Sequence, residues 1–337
     1  MPPQGYKRPW GGLFSAAERL RMVKLILRMR NRSSKQRPSY RGRLAPSPTG
    51  YLHVGHARTF WTAFERARDA GGTLVMRMDD LDPERSKSIY AKGSMDDLRW
   101  LGIQWQEGPD VGGPYAPYVQ SERKSVYFEA WRKLLRGGFI FPCRCSRRDL
   151  EAALSAPYES FRAGPNPSGE PDLLDDEPVY PGTCRLFQDR PSQAPFETET
   201  EIGEQRGFTW RFRVPDGEVV EFEDRNLGPQ RFVAGEDFGD FVVWRRDGLP
   251  SYQLACVADD AAMGITEVVR GEDLLKSTAR QILLNRALGF ENPQWFHGGL
   301  VMDANGRRLA KRHDALSLRA MRLSGLTPKE VQARVVG

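Results

Sequence analysis

The hydrophobic and polar positions of the chain predict two units in which a strand, a loop and a helix follow one another. In the first, RGRLA predicts a short strand and PSPTGYLHVG a loop rich in Pro and Gly. HARTFWTAFERARDAGG predicts a helix that ends at its paired glycines, and TLVMRM predicts the next strand. The apolar positions at helical spacing are Ala57, Phe60, Trp61, Phe64 and Ala67. This order is that of a βαβ unit.

A second unit lies late in the chain, and a different pattern separates the two. ITEVVRG predicts a strand and EDLLKSTARQILLNRALG the helix after it, ending at Gly289. Between the units, residues 155–178 are rich in Pro, Gly and acids and predict a loop. FTWRFRVPDGEVVEFEDRNLG alternates and predicts a β-hairpin with its turn at Pro-Asp-Gly. We therefore expect an α/β fold, a parallel sheet with its ligand at the carboxyl ends of the strands and a β-rich insertion.

Composition places the chain among ordinary globular proteins. It has 337 residues, enough for two domains or for one domain with an insertion. With 39% hydrophobic and 28% charged residues, it contains no apolar run near the roughly 20 residues that cross a bilayer. We expect a cytoplasmic, monomeric protein with no membrane partner.

The net charge of +6 belongs to one end of the chain. Residues 1–42 hold eleven Lys or Arg and one acid, Glu18, so the remainder carries −4. The favoured interpretation of this basic extension is a dispensable tail, or a start assigned too early, with Met22 or Met29 available. A polyanion-binding or membrane-surface arm and an organelle transit sequence are alternatives. The pI of the whole chain therefore says nothing about nucleic-acid binding by the body.

Two of the four histidines lie three residues apart where the first helix begins. His53 and His56 can point both imidazoles at one phosphate, where the helix N-terminus already favours an anion. Gly55 between them lets a nucleotide approach the backbone. The alternative is a pair of capping or surface histidines, and the preceding loop and βαβ setting favour the nucleotide.

The stretch RLAPSPTGYLHVGHART resembles the signature of the glutamyl branch of class I aminoacyl-tRNA synthetases. In that family His-x-Gly-His contacts ATP, and a second signature carries a lysine on a loop. RRLAKRHD resembles that signature and places Lys311 at the key position, with Ala310 where the family often has Ser and Arg308 where it often has Lys. The resemblance implies that cations face the pyrophosphate of ATP, which enters with Mg²⁺.

The same resemblance implies a site for glutamate. Arg43 would hold the side-chain carboxylate, and Asp79, where many relatives have Glu, would hold the α-amino group. The positions implied for glutamate are Arg43, Ala45, Ser47, Asp79, Tyr252 and Arg270. Two arginines suit a dicarboxylic amino acid better than a neutral one.

Three of the four cysteines suggest a metal site. Cys143 and Cys145 form a Cys-x-Cys pair, and Cys184 lies further along the chain. By itself this is a middling zinc signal, since most zinc sites have four Cys or His ligands. The resemblance implies a structural zinc with Tyr180 as fourth ligand, whereas Cys256 is expected to be a buried small apolar residue.

The resemblance also implies a domain order: a Rossmann-like catalytic domain with a zinc-bearing insertion and a short stem-contact tail. After Lys311 the sequence given has 26 residues, whereas full glutamyl-tRNA synthetases continue with an anticodon-binding region. This resembles truncated members that activate glutamate without tRNA and attach it to queuosine in the anticodon of tRNA(Asp). The segments expected are 1–42 (basic extension), 43–138 and 238–299 (catalytic halves), 139–237 (insertion with zinc site and β-hairpin) and 300–337 (Lys loop and stem-contact remnant).

Three alternatives stay open from the sequence. A truncated glutamyl-tRNA synthetase that charges a tRNA 3′ end would share every catalytic motif. A small His-x-Gly-His nucleotidyltransferase would share the mode of ATP binding but not the insertion or the residues implied for glutamate. A non-catalytic tRNA-binding relic is suggested by the departures at Asp79 and Ala310.

Overall fold

The computed structural model describes residues 39–145, 179–185, 208–299 and 317–336. Its strands are β1 Arg41–Leu44, β2 Thr73–Met76, β3 Ile140–Cys143, β4 Thr209–Phe212, β5 Val219–Asp224, β6 Gly228–Val233, β7 Phe241–Trp244, β8 Glu267–Gly271 and β9 Gln294–Gly298. Its α-helices are α1 Val54–Asp69, α2 Ser88–Leu101, α3 Lys124–Arg136, α4 Tyr252–Ala262, α5 Leu275–Leu288, α6 Leu318–Leu323 and α7 Pro328–Val336. In these ranges no helix is long and apolar enough to span a bilayer.

The strands of the two predicted units lie side by side and parallel. β1 pairs with β2 in parallel, with Arg41 opposite Thr73. The backbone N–H of Thr266, just before β8, donates to the Arg41 carbonyl at 2.9 Å. β8 in turn pairs in parallel with β9. Two parallel pairs, β1 with β2 and β8 with β9, are linked by the hydrogen bond from Thr266 to Arg41, which confirms the predicted parallel α/β architecture.

Helix α1 forms where the apolar spacing predicts it. His53 is its N-cap residue, and the chain turns after the helix at Gly71, whose φ of 58° lies in the left-handed region. Ala57, Phe60 and Ala67 of the predicted face are buried, whereas Trp61 is partly exposed. The buried face packs in one apolar cluster with Val269 of β8 and the first two strands.

The predicted turn at Pro-Asp-Gly is wrong as a hairpin turn. β4 before it pairs with β3 and β7, whereas β5 after it pairs with β6 and β9, so the turn joins two sheets. The hairpin forms one connection later, between β5 and β6. Its turn is held by the Asp224 carboxylate, which accepts from the backbone N–H groups of Asn226 and Leu227 at 3.0 and 2.9 Å. Alternating polarity with a turn signal does not distinguish a hairpin turn from a connection between two sheets, because both have the same local sequence pattern.

Helices α6 and α7 pack on the first unit. Val331 and Val335 of α7 are buried in its apolar cluster, and Arg319 of α6 pairs with the buried Asp97 of α2 at 2.9 Å. Ser317, which precedes α6, forms an antiparallel bridge with His53. The chain thus returns beside the first signature before α6 begins.

A second apolar cluster joins α3 to the antiparallel sheet β3–β4–β7. The fully buried Trp131 of α3 packs edge-on against Trp210 at 5.0 Å between ring centroids, and it also contacts Trp244 and Phe128. These rings span one helix and two strands, so this cluster fixes the helix on the sheet.

Trp131→Ala is expected to lower the free energy of unfolding by about 3–5 kcal/mol, because it leaves a cavity among three aromatic rings. Chemical denaturation, monitored by circular dichroism, measures the change in the free energy of unfolding. Ile89→Ala, at a side chain that is 60% exposed, is the matched control and should change the value by less than about 0.5 kcal/mol. Equal denaturation midpoints for the two variants would contradict this account of the cluster.

Candidate active site

The candidate site lies where β1, β2 and β8 end. The loop after β1 leads to the His pair at the start of α1, Asp79 follows β2, and Arg270 is near the end of β8. The backbone N–H of Asp79 donates to the Pro46 carbonyl at 3.0 Å, which holds the signature loop over the end of β2. In α/β sheets this edge is where ligands bind.

The two signature histidines stack on each other at the start of α1. Their ring centroids are 3.7 Å apart with an angle of 30° between planes. His53 Nδ1 accepts from the backbone N–H of Gly55 at 3.1 Å, so a neutral His53 carries its proton on Nε2. The N–H groups of the first helical turn have no partner within the helix and favour an anion. Both rings therefore lie where a phosphate would meet the helix N-terminus.

Arg43 is buried at the end of β1 with part of its hydrogen-bonding capacity left over. Its Nη1 donates to the Val269 carbonyl of β8 at 2.9 Å. Its Nε lies 3.6 Å from Asp260 Oδ1, too long for a hydrogen bond, and has no hydrogen-bond partner among the described residues. A buried arginine with an N–H group that lacks an acceptor among the described residues is suited to bind an anionic ligand.

A second arginine holds the acidic part of the site. Arg77 is fully buried and lies among three carboxylates. Its Nε lies 2.7 Å from Asp79 Oδ1, and its Nη1 lies 2.6 Å from Asp260 Oδ1. Asp259 lies 3.7 Å away and is held by Arg123 at 2.7 Å. The acid that follows β2 and the two acids of α4 are thus joined through one cation.

The Asp79 carboxyl titrates far from its ordinary range. Burial raises its pKa to about 6, against the opposing charge of Arg77, and the nearby Asp259 carboxylate adds to the rise. The Cys256 thiol lies 4.0 Å from Asp79 Oδ2, and burial raises the pKa of that thiol to about 12. Cys256 is therefore neutral and buried, as the sequence predicts, while Asp79 changes charge near pH 6.

Arg270 is buried at the other side of the site. Its Nη1 donates to Gln281 Oε1 at 3.0 Å and lies 3.5 Å from the Tyr252 hydroxyl. The Tyr252 side chain is 41% exposed, so it lies at the solvent side of the arginine.

The structure thus brings the six predicted glutamate positions to one edge of the sheet. Ala45 and Ser47 lie in the loop that covers Asp79, and Ser47 is exposed. Arg43 and Asp79 are joined through Asp260 and Arg77, and Arg43 also reaches the strand that carries Arg270. Lys311 and the departures at Arg308 and Ala310 lie outside the described residues.

The charges that support the site were not predicted from the sequence. Arg77, Asp259 and Asp260 are all buried, and the stretch RMDD and the pair in VADD carry them. Adjacent acids inside an otherwise apolar helix pattern are the signal that could have found them, since buried carboxylates need a buried partner.

The cysteines converge as the spacing suggested. The Sγ atoms of Cys143, Cys145 and Cys184 all lie within 4.8 Å of one another. The Tyr180 hydroxyl lies 3.3 Å from Cys143 Sγ and 3.7 Å from Cys145 Sγ. Ligands around tetrahedral zinc are about 3.5–3.8 Å apart, given Zn–S and Zn–O bonds of about 2.3 and 2.0 Å. The donor set and its spacing therefore fit a tetrahedral metal ion.

Comparison with known proteins places this site in a family. The model of the catalytic domain of class I tRNA synthetases (E and Q) matches residues 39–171 and 184–331. A glutamyl-Q tRNA(Asp) synthetase of Symbiobacterium thermophilum is 46% identical over 290 residues, which cover 86% of this chain and 83% of the relative. A second one, from Nitratidesulfovibrio vulgaris, is also 46% identical, over 85% of this chain and 82% of the relative.

Longer relatives match over about half of their length. The glutamate–tRNA ligase of Sulfurihydrogenibium sp. is 40% identical over 86% of this chain and 56% of the ligase. The crystal structure of a glutamate tRNA ligase from Elizabethkingia meningosepticum in complex with its amino acid has a TM-score of 0.65 at 29% identity, over 86% of this chain and 53% of the other. The chain therefore belongs to the class I tRNA synthetases of the E and Q type, in the family that includes the glutamyl-Q tRNA(Asp) synthetases.

Proposed function

We propose that the protein activates L-glutamate with ATP and transfers it to queuosine in the anticodon of tRNA(Asp). The observation that carries this proposal is the set of buried charges at the ends of β1, β2 and β8, which matches a dicarboxylic amino acid beside an anion-binding helix start. The 46% identity to two glutamyl-Q tRNA(Asp) synthetases supports the choice of acceptor.

Each charge of glutamate has a counterpart in the site. Arg43 and Arg270 provide buried cations for carboxylates, and the ionised Asp79 provides the partner for the α-amino group. Neutral amino acids of similar size would leave a buried arginine without its anion, which costs more than the lost contact. Ala45 and Ser47 line the loop side, and Tyr252 lies at the solvent side.

The first step is attack by an α-carboxylate oxygen of glutamate on the α-phosphorus of ATP, which enters with Mg²⁺. The bond to the pyrophosphate breaks, and pyrophosphate leaves with both bonding electrons. His53, Gly55 and His56 at the start of α1 would face the phosphates, and Lys311 would approach from the other signature. Ser317, six residues after Lys311, lies beside His53, which agrees with this role.

The second step is attack by a hydroxyl of the modified base on the carbonyl carbon of the mixed anhydride. AMP leaves, the hydroxyl proton is released, and glutamate remains as an ester on the base. This step needs no covalent enzyme intermediate.

We also propose that Cys143, Cys145, Tyr180 and Cys184 hold a structural zinc ion in the insertion. Arg246 donates to the Arg144 carbonyl at 2.8 Å, which holds this segment near β7. The ion would fix the end of β3 to the segment around Tyr180, as structural zinc does in small closed sites.

The acceptor is tested with tRNA from queuosine-proficient and queuosine-deficient cells, with labelled glutamate, ATP and Mg²⁺. We expect label on the proficient tRNA alone, released by mild base as an ester. Label on both tRNAs would favour a synthetase that charges the 3′ end, and periodate oxidation of the terminal ribose of the queuosine-deficient tRNA would then abolish transfer. Absence of pyrophosphate exchange with every amino acid tested would support a non-catalytic tRNA-binding protein.

The role of Asp79 predicts a pH dependence. Its carboxylate form binds the amino group, so kcat/KM for glutamate in pyrophosphate exchange should fall as pH drops through about 6, approaching tenfold per pH unit. Asp79→Asn should be slow at every pH. The ratio of wild-type to variant values removes the titration of ATP and of the histidines, and a ratio that stays constant down to pH 5 would overturn the assignment.

Cys145→Ser is expected to lose most of the bound zinc and to lower the melting temperature. Elemental analysis of the purified protein measures the metal. Cys256→Ser, at the cysteine near Asp79, is the matched control and should keep its zinc. Unchanged zinc content in Cys145→Ser would refute the ligand set.

A further inference from the structure

The Arg270 guanidinium is held on three sides by uncharged side chains. Nε donates to His297 Nε2 at 3.1 Å, Nη1 to Gln281 at 3.0 Å and Nη2 to Thr278 at 2.6 Å. The Trp295 ring lies 5.0 Å from the centre of the guanidinium. Each named N–H group thus meets a neutral acceptor, so the positive charge of Arg270 is oriented without being neutralised by these contacts.

His297 can serve as that acceptor in only one tautomer. Its Nδ1 lies 2.6 Å from Asp224 Oδ2, and both side chains are fully buried. A carboxylate accepts but does not donate, so the imidazole proton is on Nδ1 and the lone pair is on Nε2. That lone pair faces Arg270, and the Thr278 hydroxyl lies 3.0 Å from the same nitrogen. The Asp224 carboxylate therefore sets the form of the imidazole that Arg270 needs.

The electrostatics keep His297 in this neutral form. Burial and the positive charge of Arg270 lower its pKa to about 4, although Asp224 acts in the opposite direction. Against the effect of burial, N–H donors from His297, Leu227 and Asn226 hold the pKa of Asp224 below its usual range. At neutral pH the chain of groups is a carboxylate, a neutral imidazole and a guanidinium.

Asp224 lies outside the two βαβ units that carry the site. It ends β5, where it also holds the turn to β6, and it pairs across β5 and β9 with Trp295. The same carboxylate also accepts from the backbone N–H of His297 at 3.2 Å. The β5–β6 hairpin is thus connected to Arg270 through one carboxylate and one imidazole.

We propose that Asp224 and His297 are positioning residues that fix the Arg270 guanidinium for a carboxylate of glutamate. The proposal rests on the function proposed above, in which Arg270 contacts the amino acid. A guanidinium already immobilised by four side chains loses little freedom on binding, and its planar fork is aimed before the ligand arrives.

The test is pyrophosphate exchange with glutamate and ATP varied separately, in variants that keep or remove the acceptor at Nε2. His297→Phe keeps the ring shape and removes the acceptor, and it should raise KM for glutamate about tenfold while KM for ATP changes less than about twofold. His297→Gln places an amide oxygen near the Nε2 position and should recover most of the loss. Asn226→Ala is the matched control, because Asn226 donates to the His297 backbone carbonyl and not to the imidazole, and it should leave KM for glutamate unchanged.

Asp224→Asn tests the tautomer in a protein of almost unchanged shape. The amide of the new side chain can donate to His297 Nδ1, so the imidazole proton moves to Nε2. Two N–H groups then face each other, and the hydrogen bond from Arg270 Nε is lost. We expect KM for glutamate to rise about tenfold, as with His297→Phe. Nitrogen NMR of the four histidines, with His297 assigned from His297→Gln, should show the Nδ1–H form in the wild type and its loss in Asp224→Asn.

The outcomes separate the two proposals. If Arg270→Lys raises KM for glutamate and neither Asp224→Asn nor His297→Phe does, the positioning role is wrong and the proposed function stands. If Arg270→Lys leaves KM unchanged, the contact with glutamate is wrong. If the rise in KM of His297→Gln and His297→Phe follows their loss of melting temperature and not the presence of an acceptor, the role is structural only and the positioning proposal is wrong. If His297→Phe fails to fold, Asp224→Asn tests the positioning role: loss of the Nδ1–H form without a rise in KM for glutamate would overturn it.

Discussion

The site depends on one buried cation. Arg77 has no exposed surface, and it stays charged inside the protein because Asp79, Asp259 and Asp260 surround it. Since removing one partner of such a group leaves an uncompensated charge, the strand β2 and the helix α4 are fixed relative to each other. Because three carboxylates share Arg77, its charge neutralises Asp79 only in part. The effect of burial therefore exceeds that of Arg77, and the pKa of Asp79 rises to about 6. A structural ion cluster thereby sets the charge of the carboxylate that is proposed to bind the α-amino group.

Much of the fold could be read from the sequence because it is locally encoded. The helical spacing around Phe60, the glycines after α1 and the run before Gly289 each specify an element and its end. The pairing of β5 with β6 and β9 could not be read in this way. It depends on which sheet a strand joins, and the Pro-Asp-Gly turn has the same local signature in either case.

The residues of the candidate site also divide into those that local sequence indicates and those that only the fold brings together. The histidines and the cysteines were found by their spacing, and Arg43, Asp79 and Arg270 through the resemblance of their surroundings to a known family. Asp224 and His297 were missed because they are 73 positions apart in the chain and meet only after β5 joins β9. A residue that acts through another residue leaves no motif, so buried hydrogen-bond chains have to be found in three dimensions.

The pairing of β3 with β4 has a consequence for how such a chain can vary. Cys143 lies opposite Thr209, so the segment between them leaves the antiparallel sheet and returns to it at neighbouring points. A change in the length of that segment adds loop-closure entropy slowly and does not move either strand. The length of this segment can therefore change outside residues 179–185, which pack against Cys143, while the geometry around Arg77 stays the same.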